Sequence, residues 1–513
     1  MKTLQDLLYT FAGNSSPAVI VPQKTPLKYN DLYNQVQYLQ GELASLNLNS
    51  GSCLSIVLPN SFEFVALFLA ISCMRVVAVP LNPALKQDEY GFYLEDLESE
   101  TVFVPKGAFW ERHAAVLAAL DKGVTIIECC LNDGQIVLDR RYRRPSRLTI
   151  VKMPEPPAQQ DVALILHTSG TTGRPKAVPL THQNIFASVT NVCATYNLTP
   201  HDRTILIIPI FHIHGLLAST LAPLYSGGTV IIPNRLTPSF WTDFITYNAT
   251  WYTGTPTSHS IILQFSLPKP IPPRLRFIRS GSGPLSPSLH QKLETAFGVP
   301  VLDNYALTEA CGQITSNLLP PVLRKPGSVG TATGVAVLIL DPQGRPLPPD
   351  TEGEICIRGP NVTSGYLDNE TANAASFTSD RFFRTGDYGR CDGDGYLFLT
   401  GRIKEVINKG GEKISPAELD DVIVQHPAVA EAATFAMEDE MYGQDVAVAV
   451  RVVDGEKIDA VGLRRWIRGR VAAFKVPKKI FFLSEIPKTA TGKTRRDVLA
   501  KMVLGKEALM PKL

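Results

Sequence analysis

The apolar run Val162-Ala163-Leu164-Ile165-Leu166, followed at once by His167-Thr168-Ser169-Gly170-Thr171-Thr172-Gly173-Arg174-Pro175-Lys176, constrains this chain more than any other stretch. Five consecutive apolar residues read as a strand buried on both faces, so the segment after them leaves a core sheet. From Thr168 to Lys176 that segment carries four hydroxyls, two glycines and two cations. Glycines let a backbone approach a ligand closely, successive N–H groups form an anion-binding nest, and the cations neutralise charge. The composition suits the β- and γ-phosphates of a nucleotide better than a plain Ser/Thr/Gly surface loop.

Two other phosphate-binding patterns are excluded by spacing. The common P-loop needs G-x-x-x-x-G-K-[ST], whereas Gly173 is followed by Arg174-Pro175 and Gly492-Lys493-Thr494 has Pro487 at the upstream glycine position. Gly281-Ser282-Gly283-Pro284-Leu285-Ser286 begins like a dinucleotide fingerprint and lacks its third glycine. At 513 residues the chain is too long for one core and predicts roughly three packing units. A net charge of +2 makes no case for nucleic acid. Eight cysteines without a C-x-x-C pair predict a reducing compartment and argue against structural zinc. The N-terminus lacks the apolar core of a signal peptide, and the uncharged run 204–234 contains Pro209, His212, His214 and Pro223. That run reads as buried α/β core rather than a membrane span.

Helix and strand signals alternate through the first three hundred residues, which predicts βαβ units and mainly parallel sheets. Asn60, with Glu63 three residues on, is expected to cap a helix over the apolar run 64–70. Val76 to Pro80, Thr229 to Pro233 and Ala249 to Thr253 read as strands. From Gly327 to Leu399 short strands between Gly/Pro/Asp turns predict a small antiparallel barrel. After Thr400-Gly401-Arg402 comes a compact tail with an alternating strand, Val446 to Val453, and a basic helix around Leu463 to Val471. The expected fold is α/β: a large N-terminal domain, residues 1–400, of βαβ subdomains plus a small β-barrel, and a small mobile α+β C-terminal domain, residues 401–513.

Five further stretches complete a set with the phosphate loop: Phe211 to Gly215, Tyr305-Ala306-Leu307-Thr308-Glu309, Arg384-Thr385-Gly386-Asp387, Gly401-Arg402-Ile403-Lys404-Glu405 and Pro487 to Lys493. In this order and spacing the chain resembles, over essentially its whole length, the acyl-adenylate-forming superfamily. That family comprises acyl- and aryl-CoA ligases, firefly-type luciferases and the adenylation domains of peptide synthetases. The resemblance implies ATP, CoA and Mg²⁺ as cofactors and a small carboxylic acid as substrate. It implies that Thr168, Ser169, Gly170, Thr171, Thr172, Gly173 and Lys176 hold the pyrophosphate, that Thr308 touches the α-phosphate, and that Glu309 ligates Mg²⁺. Tyr305 would flank adenine with Ser282, Gly283, Asp303 and Asn304 nearby. Asp387 would take the ribose hydroxyls, supported by Arg402. Lys493 is the expected catalytic cation. After the first half-reaction the tail would turn about Lys404 and present Gly410-Gly411-Glu412-Lys413 to line a pantetheine tunnel.

His212 and His214 lie on the implied acyl-pocket wall, where a histidine is either a satisfied core residue or a substrate contact; His212 is the candidate for contact. Within the family the chain is most similar to the peroxisomal oxalyl-CoA synthetase-like and 4-coumarate-CoA ligase-like branch. Oxalate-type relatives carry a histidine two residues after Thr-Glu-Ala, whereas Thr308-Glu309-Ala310 is followed here by Cys311-Gly312. A buried second carboxylate without a partner would be costly, so an aryl or short-to-medium monocarboxylic acid is favoured over oxalate. A stand-alone enzyme loading a carrier protein and a luciferase-like monooxygenase share the same adenylation motifs. Pro511-Lys512-Leu513 is similar to a peroxisomal S-K-L tripeptide and makes an import receptor an expected partner.

Overall fold

A computed structural model describes the chain apart from residues 1, 47, 143–154, 169–174, 269, 273, 403–404, 411, 490–492 and 509–513. Two mainly parallel sheets carry the N-terminal part. The first has seven strands in the order Gln135–Tyr142, Thr125–Asn132, Thr101–Pro105, Cys53–Ile56, Val77–Pro80, Val162–Thr168 and Lys176–Thr181. The second has nine: Thr331–Ala332, Gly312–Ser316, Val301–Leu307, Phe277–Ser280, Trp251–Gly254, Arg203–Ile205, Thr229–Ile231, Pro17–Ile20 and Leu27–Lys28. Parallel neighbours need crossover connections, and helices supply them on both faces. The central strands Val77–Pro80 and Trp251–Gly254 are accordingly buried along their whole length.

The helix Phe62–Ser72 is buried at every position except Glu63, as expected of a helix that is apolar all round. Its cap corrects the sequence reading. Ser61, not Asn60, accepts the Phe64 N–H. Asn60 is drawn instead into a tertiary tie, its Nδ2 donating to Ile208 O at 3.0 Å and its Oδ1 accepting from Ile210 N at 2.9 Å. Glu63 accepts the Leu131 N–H at 3.0 Å rather than completing a capping box. Asn60 thereby anchors the segment that leads into His212.

The uncharged run 204–234 breaks into the strand Arg203–Ile205, a π-helical stretch His214–Leu221, the short helix Ala222–Tyr225 and the strand Thr229–Ile231. Among the described residues no helix is long and apolar enough to cross a membrane. The π-helix needs Gly215, because a Cβ there would lie 2.2 Å from Pro209 O. Its wide turn sets His214 facing the middle of the second sheet.

The expected barrel is an open four-stranded antiparallel sheet, Ala336–Leu340, Gly353–Arg358, Phe383–Cys391 and Leu397–Arg402. It does not close on itself because the free edge at Leu397 is occupied. Val329 N donates to Leu397 O and Leu397 N to Gly330 O, each at 2.9 Å, and the chain then enters the nine-stranded sheet. The smaller C-terminal domain follows. Its strand Gly443–Val452 alternates in earnest: Val446, Val448 and Val450 pack with Leu419, Ile423, Leu463 and Ile467, while Ala447 and Ala449 face Leu499 and Val503.

Candidate active site

Strands Val162–Thr168 and Lys176–Thr181 form an antiparallel hairpin with Thr168 directly opposite Lys176. The phosphate loop therefore begins and ends at one point of the sheet; Ser169, Gly170, Thr171, Thr172 and Gly173 lie outside the described residues. Lys176 Nζ stands 4.4 Å over the ring of Tyr366, and the Tyr366 hydroxyl donates to Glu309 Oε1 at 2.9 Å. Burial first, then the Glu309 charge, raise that phenol above its usual range, so it remains a donor. Tyr366 was not singled out from the sequence, yet it joins the loop to the Thr-Glu motif.

Thr308 and Glu309 sit on the turn of the hairpin Val301–Leu307 and Gly312–Ser316, not on a helix cap. The segment 361–367 clamps that turn to the phosphate hairpin. Thr363 N donates to Glu309 O at 2.8 Å, Asn361 Nδ2 to Ala310 O at 2.8 Å, Thr363 Oγ1 to Pro179 O at 2.8 Å and Leu367 N to Ala177 O at 3.0 Å. Cys311 is fully buried, and Gly312 has φ +104°, with its missing Cβ direction 3.3 Å from Ser188 Oγ. The position where a histidine was considered thus holds no side chain.

Asp387 and Arg402 face one another across paired strands, Arg402 Nε lying 3.1 Å from Asp387 Oδ1. The other carboxylate oxygen accepts the Tyr305 hydroxyl at 2.5 Å. Burial and then Asp387 push the Tyr305 phenol well above its ordinary range. Ring, carboxylate and guanidinium form one unit of the shape a nucleoside requires. Asn304 is committed elsewhere: its Oδ1 accepts from Arg279 Nη2 at 2.8 Å and its amide donates to Ser280 O. That amide passes so close that a Cβ at Gly281 would meet it at 2.7 Å. Gly283 is less crowded, its Cβ position meeting only Pro256 at 3.5 Å. Asp303 is buried and its carboxyl is pushed well above the usual range, against the pull of the Asn304 N–H and Arg279.

Ser282, expected near adenine, turns its hydroxyl to His214 Nδ1 at 2.9 Å from a left-handed backbone, φ 64°. His214 Nε2 receives Arg279 Nη1 at 2.9 Å and lies 2.6 Å from Thr253 Oγ1. Because arginine only donates, His214 Nε2 must accept, and its proton resides on Nδ1 toward Ser282. Burial, then Arg279, hold His214 well below the ordinary imidazole range. Its backbone N–H donates to His212 Nδ1 at 3.3 Å. Burial, then Lys493, depress His212 to about 3, so His212 is neutral with its proton on Nε2.

Lys493 comes from the far end of the chain, with Thr489 N donating to Lys493 O at 2.7 Å and Lys493 N to Thr489 Oγ1 at 3.1 Å. Surrounding protein atoms, then Arg402, pull its ammonium below the ordinary lysine range, while Asp387, Glu309 and Glu405 oppose them. One cation from the C-terminal domain thus shares an electrostatic field with Glu309, Asp387, Arg402, His212 and His214. Gly410 has φ +60° and lies against Tyr442, whose carbonyl accepts its N–H at 3.0 Å. No hydrogen bond or ion pair among the described residues joins Gly410 to the Asp387–Lys493 group; Lys404 and Gly411 lie outside the described residues.

Residues 12–367 match the family of AMP-binding enzymes, and residues 418–493 match the AMP-binding enzyme C-terminal domain. The chain is 42% identical over 520 residues to an oxalate–CoA ligase of Saccharomyces cerevisiae, covering 96% of this chain and 95% of that one. It is 43% identical to a probable CoA ligase of Humulus lupulus, with 98% and 97% covered. Among solved structures it superposes on o-succinylbenzoate coenzyme A synthetase of Bacillus subtilis in complex with ATP and magnesium ion, with TM-score 0.83, 28% identity, and 96% and 98% of the two chains covered. The chain belongs to the AMP-binding enzyme family and is an ATP-dependent, AMP-forming acid–CoA ligase.

Proposed function

We propose that this ligase activates a small organic acid with Lys493 as the catalytic cation of the first step. The observation that carries the reading is that Glu309, Asp387 and Arg402 all act electrostatically on Lys493. A carboxylate is inert to thiols because its leaving group would be oxide. In the first step its oxygen attacks the α-phosphorus of ATP, the bond to the bridging β-oxygen breaks, and pyrophosphate leaves. An anion approaches a polyanion, so positioning and charge neutralisation are the main tasks. Lys493 and Thr308 act on the α-phosphate, while Thr168, Ser169, Gly170, Thr171, Thr172, Gly173 and Lys176 cradle the departing pyrophosphate. Asp387 and Arg402 take the ribose, and Tyr305 takes the adenine beside Ser282, Gly283, Asp303 and Asn304.

Glu309 offers a hard oxygen donor that fits Mg²⁺, with Tyr366 fixing one carboxylate oxygen and leaving the other. Bound there, the ion supplies further neutralisation of the phosphates. His212 Nε2–H donates to the acid. In the second step the CoA thiolate attacks the acyl carbon and AMP departs. The unit 401–513 turns about Lys404 against the unit 1–400, withdrawing Lys493 and bringing Gly410 and Gly411 to the pantetheine.

The first candidate acid is oxalate, the substrate in the printed name of the yeast relative. A second reading, an aryl or short-chain monocarboxylic acid, is favoured by the empty side-chain position at Gly312. Pyrophosphate exchange over a panel of acids, repeated with CoA and thioester detection, tests the reaction and separates the acids. Orthophosphate and ADP as products would overturn it. Recognition of Pro511-Lys512-Leu513, which lies outside the described residues, by a peroxisomal import receptor is part of the same proposal. A fluorescent protein carrying the last ten residues should enter peroxisomes, and its exclusion from them would contradict that step.

A further inference from the structure

Arg279 on the strand Phe277–Ser280 is 2% exposed and donates all five of its N–H bonds to neutral groups. Nε reaches Tyr196 Oη at 3.0 Å; Nη1 reaches His214 Nε2 at 2.9 Å and Thr253 Oγ1 at 3.1 Å; Nη2 reaches Asn304 Oδ1 at 2.8 Å and Gln313 Oε1 at 3.2 Å. Among the described residues it has no acidic ion-pair partner. A buried cation is normally paired, because desolvation is costly and neutral dipoles repay it only in part. Every hydrogen bond of this guanidinium is satisfied, yet no carboxylate among the described residues lies within ion-pair distance, and the one acid it acts on, Asp303, is pushed toward its neutral form by burial.

The polarity of its bonds leads in one direction. Arg279 forces His214 Nε2 to accept, which leaves Nδ1–H to donate to Ser282 Oγ and frees the Ser282 hydroxyl proton to point onward. His214 N–H likewise sets His212 with its proton on Nε2. Ser282 O–H lies on the chain that starts at Arg279, whose bonds of one sense polarise one another, while His212 Nε2–H is oriented separately by the His214 backbone N–H. We infer that Arg279 is a specificity-determining positioning residue, whose unpaired charge, relayed through His214 to Ser282, selects acids bearing a second negative group over acids with apolar or cationic tails. This rests on the acid-activating reading of the His212–His214 wall. It runs counter to the conclusion drawn from Gly312 alone, since a cation behind the wall takes the place of one in it. At an effective dielectric of about 20, a unit charge changes affinity by roughly tenfold or more at any separation under about 12 Å.

The test compares pyrophosphate exchange with oxalate and with acetate in wild type, Arg279→Lys and Arg279→Gln, with ATP binding followed by calorimetry. Wild type is expected to prefer oxalate in kcat/KM. Arg279→Gln should lower that preference by at least about tenfold, chiefly through KM for oxalate, and by more than any change in ATP affinity transmitted through Asn304. Arg279→Lys should keep most of the preference. If Arg279→Gln does not fold, His214→Leu provides the same readout, because it removes both the acceptor for Arg279 and the donor to Ser282. An unchanged oxalate-to-acetate ratio in folded Arg279→Gln or folded His214→Leu, or a wild type that prefers acetate, overturns the assignment. Absence of exchange with every acid would overturn the ligase reading beneath it instead.

Discussion

Replacing Lys493 by alanine should separate the two half-reactions. The ammonium feels the charges of Glu309, Asp387, Arg402 and Glu405, the groups proposed to surround the α-phosphate as the carboxylate attacks. Loss of one such preorganised contact to a developing oxyanion costs about 3–4 kcal/mol. At about 1.36 kcal/mol per tenfold, adenylate formation should fall by roughly two to three orders of magnitude. Thioester formation from supplied acyl-AMP should change by no more than about threefold, because AMP leaves without a new phosphorus bond forming. Pyrophosphate exchange reads the first half; thioester release from synthetic acyl-AMP plus CoA reads the second. The pH profile adds a check. Surrounding protein and then Arg402 lower the lysine, so the active ammonium is lost as pH rises through a value below that of an ordinary lysine. Equal loss in both half-reactions, or no loss in either, would refute the assignment.

Lys404→Pro should leave pyrophosphate exchange within about threefold of wild type and abolish CoA transfer, since proline fixes φ at the proposed hinge; normal overall turnover would exclude the hinge. Tyr366→Phe keeps the ring under Lys176 and removes the hydroxyl from Glu309. It should raise KM for magnesium-ATP about tenfold to a hundredfold, the scale of one hydrogen bond to a charged group; an unchanged KM would dissociate Tyr366 from the metal-side carboxylate. Burial raises Asp420 to about 6 against Arg496, and burial plus Asp420 raise Asp421 to about 7. Both folded values exceed the unfolded one, so the stability they contribute is complete below about pH 4 and is lost as pH rises through 6 to 7. Asp421→Asn should therefore raise Tm at pH 8 by a few degrees and flatten the slope between pH 5 and 8; an unchanged melting profile would contradict this.

The α/β class was legible because buried parallel strands read as short apolar runs and the alternation with helices is regular. Composition alone drew attention to the loop that ends at Lys176, whereas Glu309, Asp387 and Lys493 became site candidates through the resemblance carried by their surrounding motifs. What escaped the sequence shares a cause. Asn60 is a good cap by propensity, and only the tertiary carbonyl of Ile208 explains why Ser61 serves instead. The antiparallel strands after Gly327 read as a barrel because local signals cannot say that Val329 and Gly330 occupy the last edge. Tyr366 lies in an unremarkable Ser-Gly-Tyr turn, and its role exists only where three separate segments meet. Arg279 had one signal available: an arginine inside a strand otherwise destined for the core.

The central claim is that the acid attacks the innermost phosphorus of ATP, and oxygen labelling tests it most directly. With the acid labelled by ¹⁸O in its carboxylate, and unlabelled ATP, one labelled oxygen should appear in the AMP released with the thioester. Label in orthophosphate, or AMP free of label while thioester accumulates, would contradict it.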